Sequence, residues 1–433
     1  MYRPLILFLL LTAVSPLSAQ PLTLDAALAI ALEHNHAIRL ARLDADLARE
    51  TRSLGTAGYL PTLDFGASAS YTGSRQDSNS PFTFGDSDTR AVSAQLSLNW
   101  TLFDGFRMFA DDARYRELTL LGETQARARI EATVLDVARA WFTLAQQQQL
   151  DSVYALTLSI SRTRLEKARV RRSFGGSLAE ALNAEVAYTN DSLEAIEQRH
   201  VLDIARHSLN LALGRSSEVP IEVLHDMELP ALPYSDAALF ELARERNAAL
   251  RASRHALGVA REERALRRGN FFPRVSAFAQ YGMSDRTVIP AVPRDGGNIL
   301  TSGTDAVAGL NLSMNLFNGF RNSIDVQRAT IEQRQAEIAL EEEHLRLDAT
   351  LREQLSQLRL REAALKLAGQ NREAARAALE LQVERFEAGS ASSLEFRDAQ
   401  LQFVRAATAH IDARLRLRLA QLALLRSIGD IVR

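Results

Sequence analysis

Hydrophobic and polar positions change period along the chain, and the changes recur. Residues 23–56 and 235–268, rich in Ala, Leu, Arg and Glu, read as opening helices. Pro61 and Pro273 are expected to end them, because proline pushes the preceding residue out of the helical region. The period then falls from 3.6 to 2. Leu63, Phe65, Ala67, Ala69 and Tyr71 alternate with Asp64, Gly66, Ser68 and Ser70. Val92, Ala94, Leu96, Leu98, Trp100 and Leu102 alternate with Ser93, Gln95, Ser97, Asn99 and Thr101. Val275, Ala277, Ala279 and Tyr281, then Ala306, Ala308, Leu310, Leu312, Met314 and Leu316, repeat the pattern. Strands are expected at about 60–73, 91–103, 272–284 and 305–317, with solvated, turn-rich loops at about 74–90 and 285–304. A long helix follows each second strand, over about 106–174 and about 320–386, and a further helix follows each of those. At 1.5 Å per residue each long helix would run about 100 Å, too long for a compact domain. In the second, Leu340, Leu347, Leu351, Leu355, Leu358 and Leu365 keep the intervals of a coiled-coil seam.

The recurrence is a duplication. Proline is absent from 82–219 and from 294–433, as expected of two blocks of long helix. Leu102-Phe103-Asp104-Gly105 returns as Leu316-Phe317-Asn318-Gly319, displaced by 214 residues. Asn35 with Pro61 returns as Asn247 with Pro273, and Leu209 to Gly214 returns as Leu424 to Gly429. The repeats span 20–219 and 220–433.

The strands carry Ser, Asn, Gln, Gly and Thr on one face and few charges, as a water-filled lumen does. Aromatic residues (Tyr59, Tyr71, Trp100, Phe103, Phe271, Phe272, Tyr281, Phe317) gather near their ends. Length, alternation and girdle favour transmembrane β-strands over a soluble sandwich. Four strands cannot close a barrel and open edges are not tolerated in lipid, so several chains must contribute.

Composition narrows the class further. Hydrophobic residues are 46% and charged residues 24%, so the chain can build a core. Fifty-one basic against 53 acidic residues give a net charge of −2, which argues against a nucleic-acid binder. With no cysteine, disulfides, iron–sulfur clusters and thiolate zinc sites are excluded. Arg3, the apolar run Leu5–Val14 and the small residues before Gln20 read as a signal peptide over 1–19. No cofactor or metal site is expected. His34 and His36 would face apart on a helix, and His200 and His207 lack an H-E-x-x-H motif. Glu341, Glu342, Glu343 and His344 read as a solvated face. No phosphate-binding loop precedes a lysine and no G-x-S-x-G elbow appears, so an enzyme is not expected.

These features together resemble the outer-membrane efflux proteins of the TolC family over essentially all of 20–433. The resemblance implies a mainly α protein with a membrane β-barrel part. It implies a homotrimer with one 12-stranded barrel in outer-membrane lipid and a 12-helix periplasmic α-barrel. Its partners would be a periplasmic adaptor and an inner-membrane pump, and its role that of a passive exit duct for efflux or type I secretion. A non-conducting trimeric coiled-coil scaffold is the alternative.

The segment Arg385-Phe386-Glu387-Ala388-Gly389 is similar to the family's aromatic-x-x-Gly turn, with Glu395 and Asp398 at the acidic positions of the periplasmic aperture. Glu180 is the first-half candidate, where Phe174-Gly175-Gly176-Ser177 makes a shorter turn. Threefold symmetry would turn each acid into a ring that attracts cations. Read from the residues alone, Glu395 and Asp398 are solvated helix surface, with Ser392 or Ser393 as N-cap and Glu395 in the first turn. The family's closed mouths use a basic residue two places after the turn glycine, tied to an acid on a neighbouring helix; here that position is Ala391, so without Arg397 or Arg385 as a substitute the mouth is expected to be held shut less firmly.

Overall fold

The computed structural model describes residues 21–75, 86–224, 234–291, 297–388 and 390–431. The signal-peptide reading of 1–19 and the turn residue Gly389 lie outside them. Twelve elements follow in two parallel series. The first is α1 (Leu24–His34), α2 (His36–Glu50), β1 (Thr62–Ser74), β2 (Ser87–Phe103), α3 (Arg107–Ser173) and α4 (Leu178–Ala212). The second is α5 (Asp236–Arg246), α6 (Ala248–Gly269), β3 (Arg274–Pro290), β4 (Ile299–Ser313), α7 (Arg321–Glu387) and α8 (Ser393–Ser427). Both long helices have 67 residues and both that follow have 35.

Each opening helix is two helices, not one. The break falls at Asn35 and at Asn247, whose backbones turn extended at ψ 127° and 123°. Asn35 Oδ1 accepts from the N–H groups of Ala37 (2.8 Å) and Ile38 (3.1 Å), which start α2, and its Nδ2 donates to Ala212 O (2.7 Å). Asn247 Nδ2 donates likewise to Ser427 O (3.0 Å). A glycine completes each clasp: Gly214 (φ +73°) and Gly429 (φ +69°) sit so close that an added Cβ would meet His34 O at 2.5 Å and Arg246 O at 2.9 Å. The repeated Asn and the repeated Leu-to-Gly segment are thus the two sides of one contact. Nor does α2 reach Pro61. It ends at Glu50, where the Ser53 and Thr56 side chains bond neighbouring backbone in a turn, a local alternative to helix.

The chain divides into two compact units. The helical unit takes the described residues up to Arg42, with Arg127–Asn247 and Arg346 onward. Its core joins Ala27 and Ala31 of α1, Val137, Trp141 and Phe142 of α3, Leu209 of α4 and Leu422 of α8. Trp141 Nε1 donates to Leu22 O (3.0 Å), tying in the segment that bridges to Val223. Of the expected seam, Leu347, Leu351 and Leu355 are buried.

The sheet unit takes Leu43–Ala126 and Ala248–Leu345. Its strands run antiparallel in the order β1-β2-β3-β4, leaving β1 and β4 as edges. The register puts apolar residues opposite one another: Leu63, Leu98, Ala279 and Ala308 form one row, and Phe65, Leu96, Tyr281 and Ala306 the next. On the other face Asp64, Ser97 and Gln280 align, as do Gly66, Gln95, Gly282 and Asp305. The apolar face is uncovered: Phe65 is 72% and Leu310 71% exposed.

The strand ends differ from expectation. β2 starts at Ser87, and β3 and β4 pair Asp285 with Ser302 and Val288 with Ile299, inside segments read as loop. Their Ser, Gly and Asp content reads as loop, although the last rung pairs two apolar residues, Val288 and Ile299. At the other end β4 stops at Ser313, so Leu316 and Phe317 lie beyond it.

Candidate functional site

The strand-to-helix motif is the same device twice, within the sheet unit. Gly105 and Phe106 both take positive φ (75° and 67°), as do Gly319 and Phe320 (67° and 62°). A left-handed non-glycine residue costs about 1–2 kcal/mol. The rings account for its place here: Phe106 packs edge-on against Phe103 at 5.2 Å and Phe272 at 5.9 Å, and Phe320 against Phe317 at 5.5 Å. Asp104 Oδ1 accepts from Met108 N (3.1 Å) and Asn318 Oδ1 from Asn322 N (3.5 Å), satisfying amides that open α3 and α7. Leu102 belongs to β2 and Leu316 follows β4; both are exposed.

The helix tips lie in the helical unit. α3 closes through Gly176 N donating to Arg171 O (2.9 Å), and Ser177 caps α4 by accepting from Glu180 N (3.4 Å). The Glu180 carboxylate then bonds Arg171 Nη1 (2.9 Å), so its charge is paired. Phe174 projects from this tip, 87% exposed.

At the second tip, Ser390 N donates to Arg385 O (2.8 Å). Ser392 and Glu395 form a reciprocal capping box: Glu395 N donates to Ser392 Oγ (3.2 Å), and Ser392 N to Glu395 Oε2 (2.7 Å). The Ser392 backbone N–H, and then its side chain, hold the Glu395 carboxyl below the usual carboxylate range. Asp398, one turn on and also exposed, accepts from Gln402 Nε2 (2.6 Å). Phe386 points inward instead. It is buried, stacks on Phe396 at 5.2 Å between centroids, and lies under the Arg171 guanidinium at 5.3 Å.

Of the two arginines expected to stand in for the basic residue missing at Ala391, Arg397 meets an acid on a neighbouring helix. Arg397 donates from both Nη atoms to Asp191 of α4, at 2.7 Å each. The Ser161 hydroxyl of α3 donates to the same carboxylate. Gln400 accepts from Arg397 (3.2 Å) and donates to Thr157 O (3.2 Å) and Ser161 Oγ (3.2 Å). The Asp191 side chain is 1% exposed. Arg397 therefore ties α8 to α4, and through the shared carboxylate to α3, while among the described residues Arg385 bonds within its own turn, to Ser390 O (3.4 Å). A signal was present: Asp191 falls on the buried stripe of α4, with Ala184, Ala187 and Ala195.

An open antiparallel sheet with a bare apolar face, in a chain with two long helical hairpins, defines a subunit of an outer-membrane channel. The chain belongs to the outer membrane efflux protein family, whose model matches residues 27–215 and 239–430, once in each half. It is an outer-membrane exit duct. It is similar to the alkaline protease secretion protein AprF of Pseudomonas aeruginosa, 28% identical over 344 residues, covering 76% of this chain and 67% of that one. It is also similar to the proteases secretion protein PrtF of Dickeya chrysanthemi, at 24% identity over 82% of this chain and 77% of that one. In fold it matches the CmeC outer membrane channel of Campylobacter jejuni, with a TM-score of 0.77 at 14% identity over 94% of this chain and 85% of that one.

Proposed function

We propose that three copies of this chain supply twelve strands to one barrel in outer-membrane lipid and twelve helices to a periplasmic tunnel. Substrate enters from an inner-membrane pump through a periplasmic adaptor, and the duct itself spends no energy. The observation that carries this reading is the sheet. Its apolar face is exposed in register across all four strands, and its edges β1 and β4 are unpaired by one another. Lipid accepts such a face only when the edges are closed. No helix among the described residues is long and apolar enough to cross a membrane. A non-conducting scaffold has no use for an apolar stripe on four strands. We read the protein as a duct and not an enzyme. The names of AprF and PrtF support secretion of a protein cargo beside efflux of small molecules.

For the aperture, we read Glu395 and Asp398 as threefold carboxylate rings, with Phe386 and Gly389 shaping the turn behind them. Glu180, paired to Arg171, adds little charge. The test is single-channel recording of the purified protein in planar bilayers. Glu395→Gln with Asp398→Asn removes the charge while glutamine can still complete the cap. The expected result is a several-fold fall in cation-over-anion permeability and weaker block by multivalent cations. Unchanged selectivity would place the constriction elsewhere.

A further inference from the structure

His410 is a titratable side chain for which the duct has no evident use. It lies on α8, half-buried against α7. An added Cβ at Gly369 of α7 would already touch the ring, at 3.6 Å from Cε1 and 3.7 Å from Nδ1. Nδ1 is buried and has no hydrogen-bond partner among the described residues. The charged groups that face the ring are cationic on balance: Arg372 and Glu373 on α7, and Arg414 on α8 itself. Glu373 is already held by Arg372 (3.1 Å). One turn further along α7, Arg376 is paired with Glu380 (2.9 Å). From α3, Gln149 and Ser152 reach the cavity of about 690 Å³ that His410 lines, beside the apolar Val153, Leu156 and Ile160.

A neutral imidazole can leave its Nδ1 without a proton, whereas the imidazolium carries one on both nitrogens. Protonation of His410 would set an N–H with no acceptor against the α7 backbone, at the cost of an unsatisfied buried donor. It would also add a third positive charge beside Arg372 and Arg414. We propose that His410 makes the α7–α8 contact acid-sensitive: the neutral ring packs over Gly369, and the charged ring weakens the pairing of the two helices at this level. Burial, and then Arg372 and Arg414, hold the His410 pKa below the ordinary histidine value, against the smaller opposite pull of Glu373. With the folded pKa below the unfolded one, this stabilisation is whole above about pH 6.5 and is lost as pH falls towards the folded value. The same two helices meet again at the tip that carries Phe386, Glu395 and Asp398, so acid loosens the hairpin behind that tip. The device stands whether or not the chain conducts.

The test is amide hydrogen exchange of the detergent-purified full-length protein, read by mass spectrometry at pH 7.5 and pH 5.0. Peptides over 366–376 and 405–415 are compared with 181–198 of α4 in the same sample, after correction of each for its intrinsic rate. The expected result is a rise of threefold or more in exchange of the first two, relative to α4, on going to pH 5.0. His410→Leu should remove that rise, while His200→Gln, at an exposed histidine of α4, should keep it. A constant ratio in the unaltered protein would overturn the proposal without any variant. So would an undiminished rise in folded His410→Leu, which would assign the acid response to other groups.

Discussion

Asp191 sits where spacing along α4 would place an alanine, and that is why motif reading passes over it. Its partner Arg397 is more than two hundred residues away, and nothing local reports that the two meet. Removing one member of a buried ion pair leaves the other uncompensated, at a cost of about 3–5 kcal/mol, whereas replacing both with apolar residues is often neutral. Asp191→Ala is therefore expected to destabilise the helical unit by about that much. Asp191→Leu with Arg397→Met should recover most of the loss, with chemical denaturation of the purified protein followed by circular dichroism as the check. The glycine clasps make a second residue-scale case. Gly214→Ala forces a side chain into left-handed backbone, about 1–2 kcal/mol, and against His34 O besides. A measurable fall in Tm is expected, and an equal Tm would show that the α1–α2 break does not depend on this contact.

At the scale of elements, the sheet register makes the sharpest prediction. Leu96 and Ser97 are neighbours in β2 on opposite faces. An arginine on a lipid-facing strand position costs about 2–4 kcal/mol near the bilayer midplane, and much less on the lumen side. Leu96→Arg should reduce the amount of folded protein in outer membranes, while Ser97→Arg should assemble and alter conductance. If both assembled alike, the apolar face would not be facing lipid.

The α8 cap gives a prediction with a pH sign. Because the Glu395 pKa is depressed on folding, its capping contribution is present above the unfolded pKa and is lost as pH falls through the folded one. If Glu395 lines the proposed aperture, its charge should likewise survive to lower pH than an ordinary glutamate allows, which cation selectivity measured against pH would report.

Elements were legible in the sequence wherever their own period declared them. The alternation in 62–74 and the proline-free blocks mark strand and helix directly. The breaks at Asn35 and Asn247 were not legible, because each is made by a carbonyl and a glycine from the far end of the same repeat. The outer rungs of β3 and β4 were missed for a related reason: in turn-rich sequence, pairs such as Asp285 with Ser302 and Val288 with Ile299 are fixed by the partner across the ladder. The cap at Ser392 could be read from its spacing to Glu395, whereas the inward turn of Phe386 onto Phe396 could not.

For the whole molecule, duplication explains most of what is seen. Two copies of one design give two hairpins in one sheet, two left-handed Gly-Phe turns, two clasps and two helix tips, and the matches to the family fall one in each half. The copies diverge at their tips: the first exposes Phe174 and pairs Glu180, while the second buries Phe386 and leaves Glu395 and Asp398 in solvent. The central claim, that copies of this chain close into a conducting duct, is tested most directly by planar-bilayer recording on protein purified from outer membranes, with crosslinking of the same sample to count chains. The account predicts a crosslinked trimer with a discrete, cation-selective conductance. A monomer that stays in solution and never inserts would contradict it.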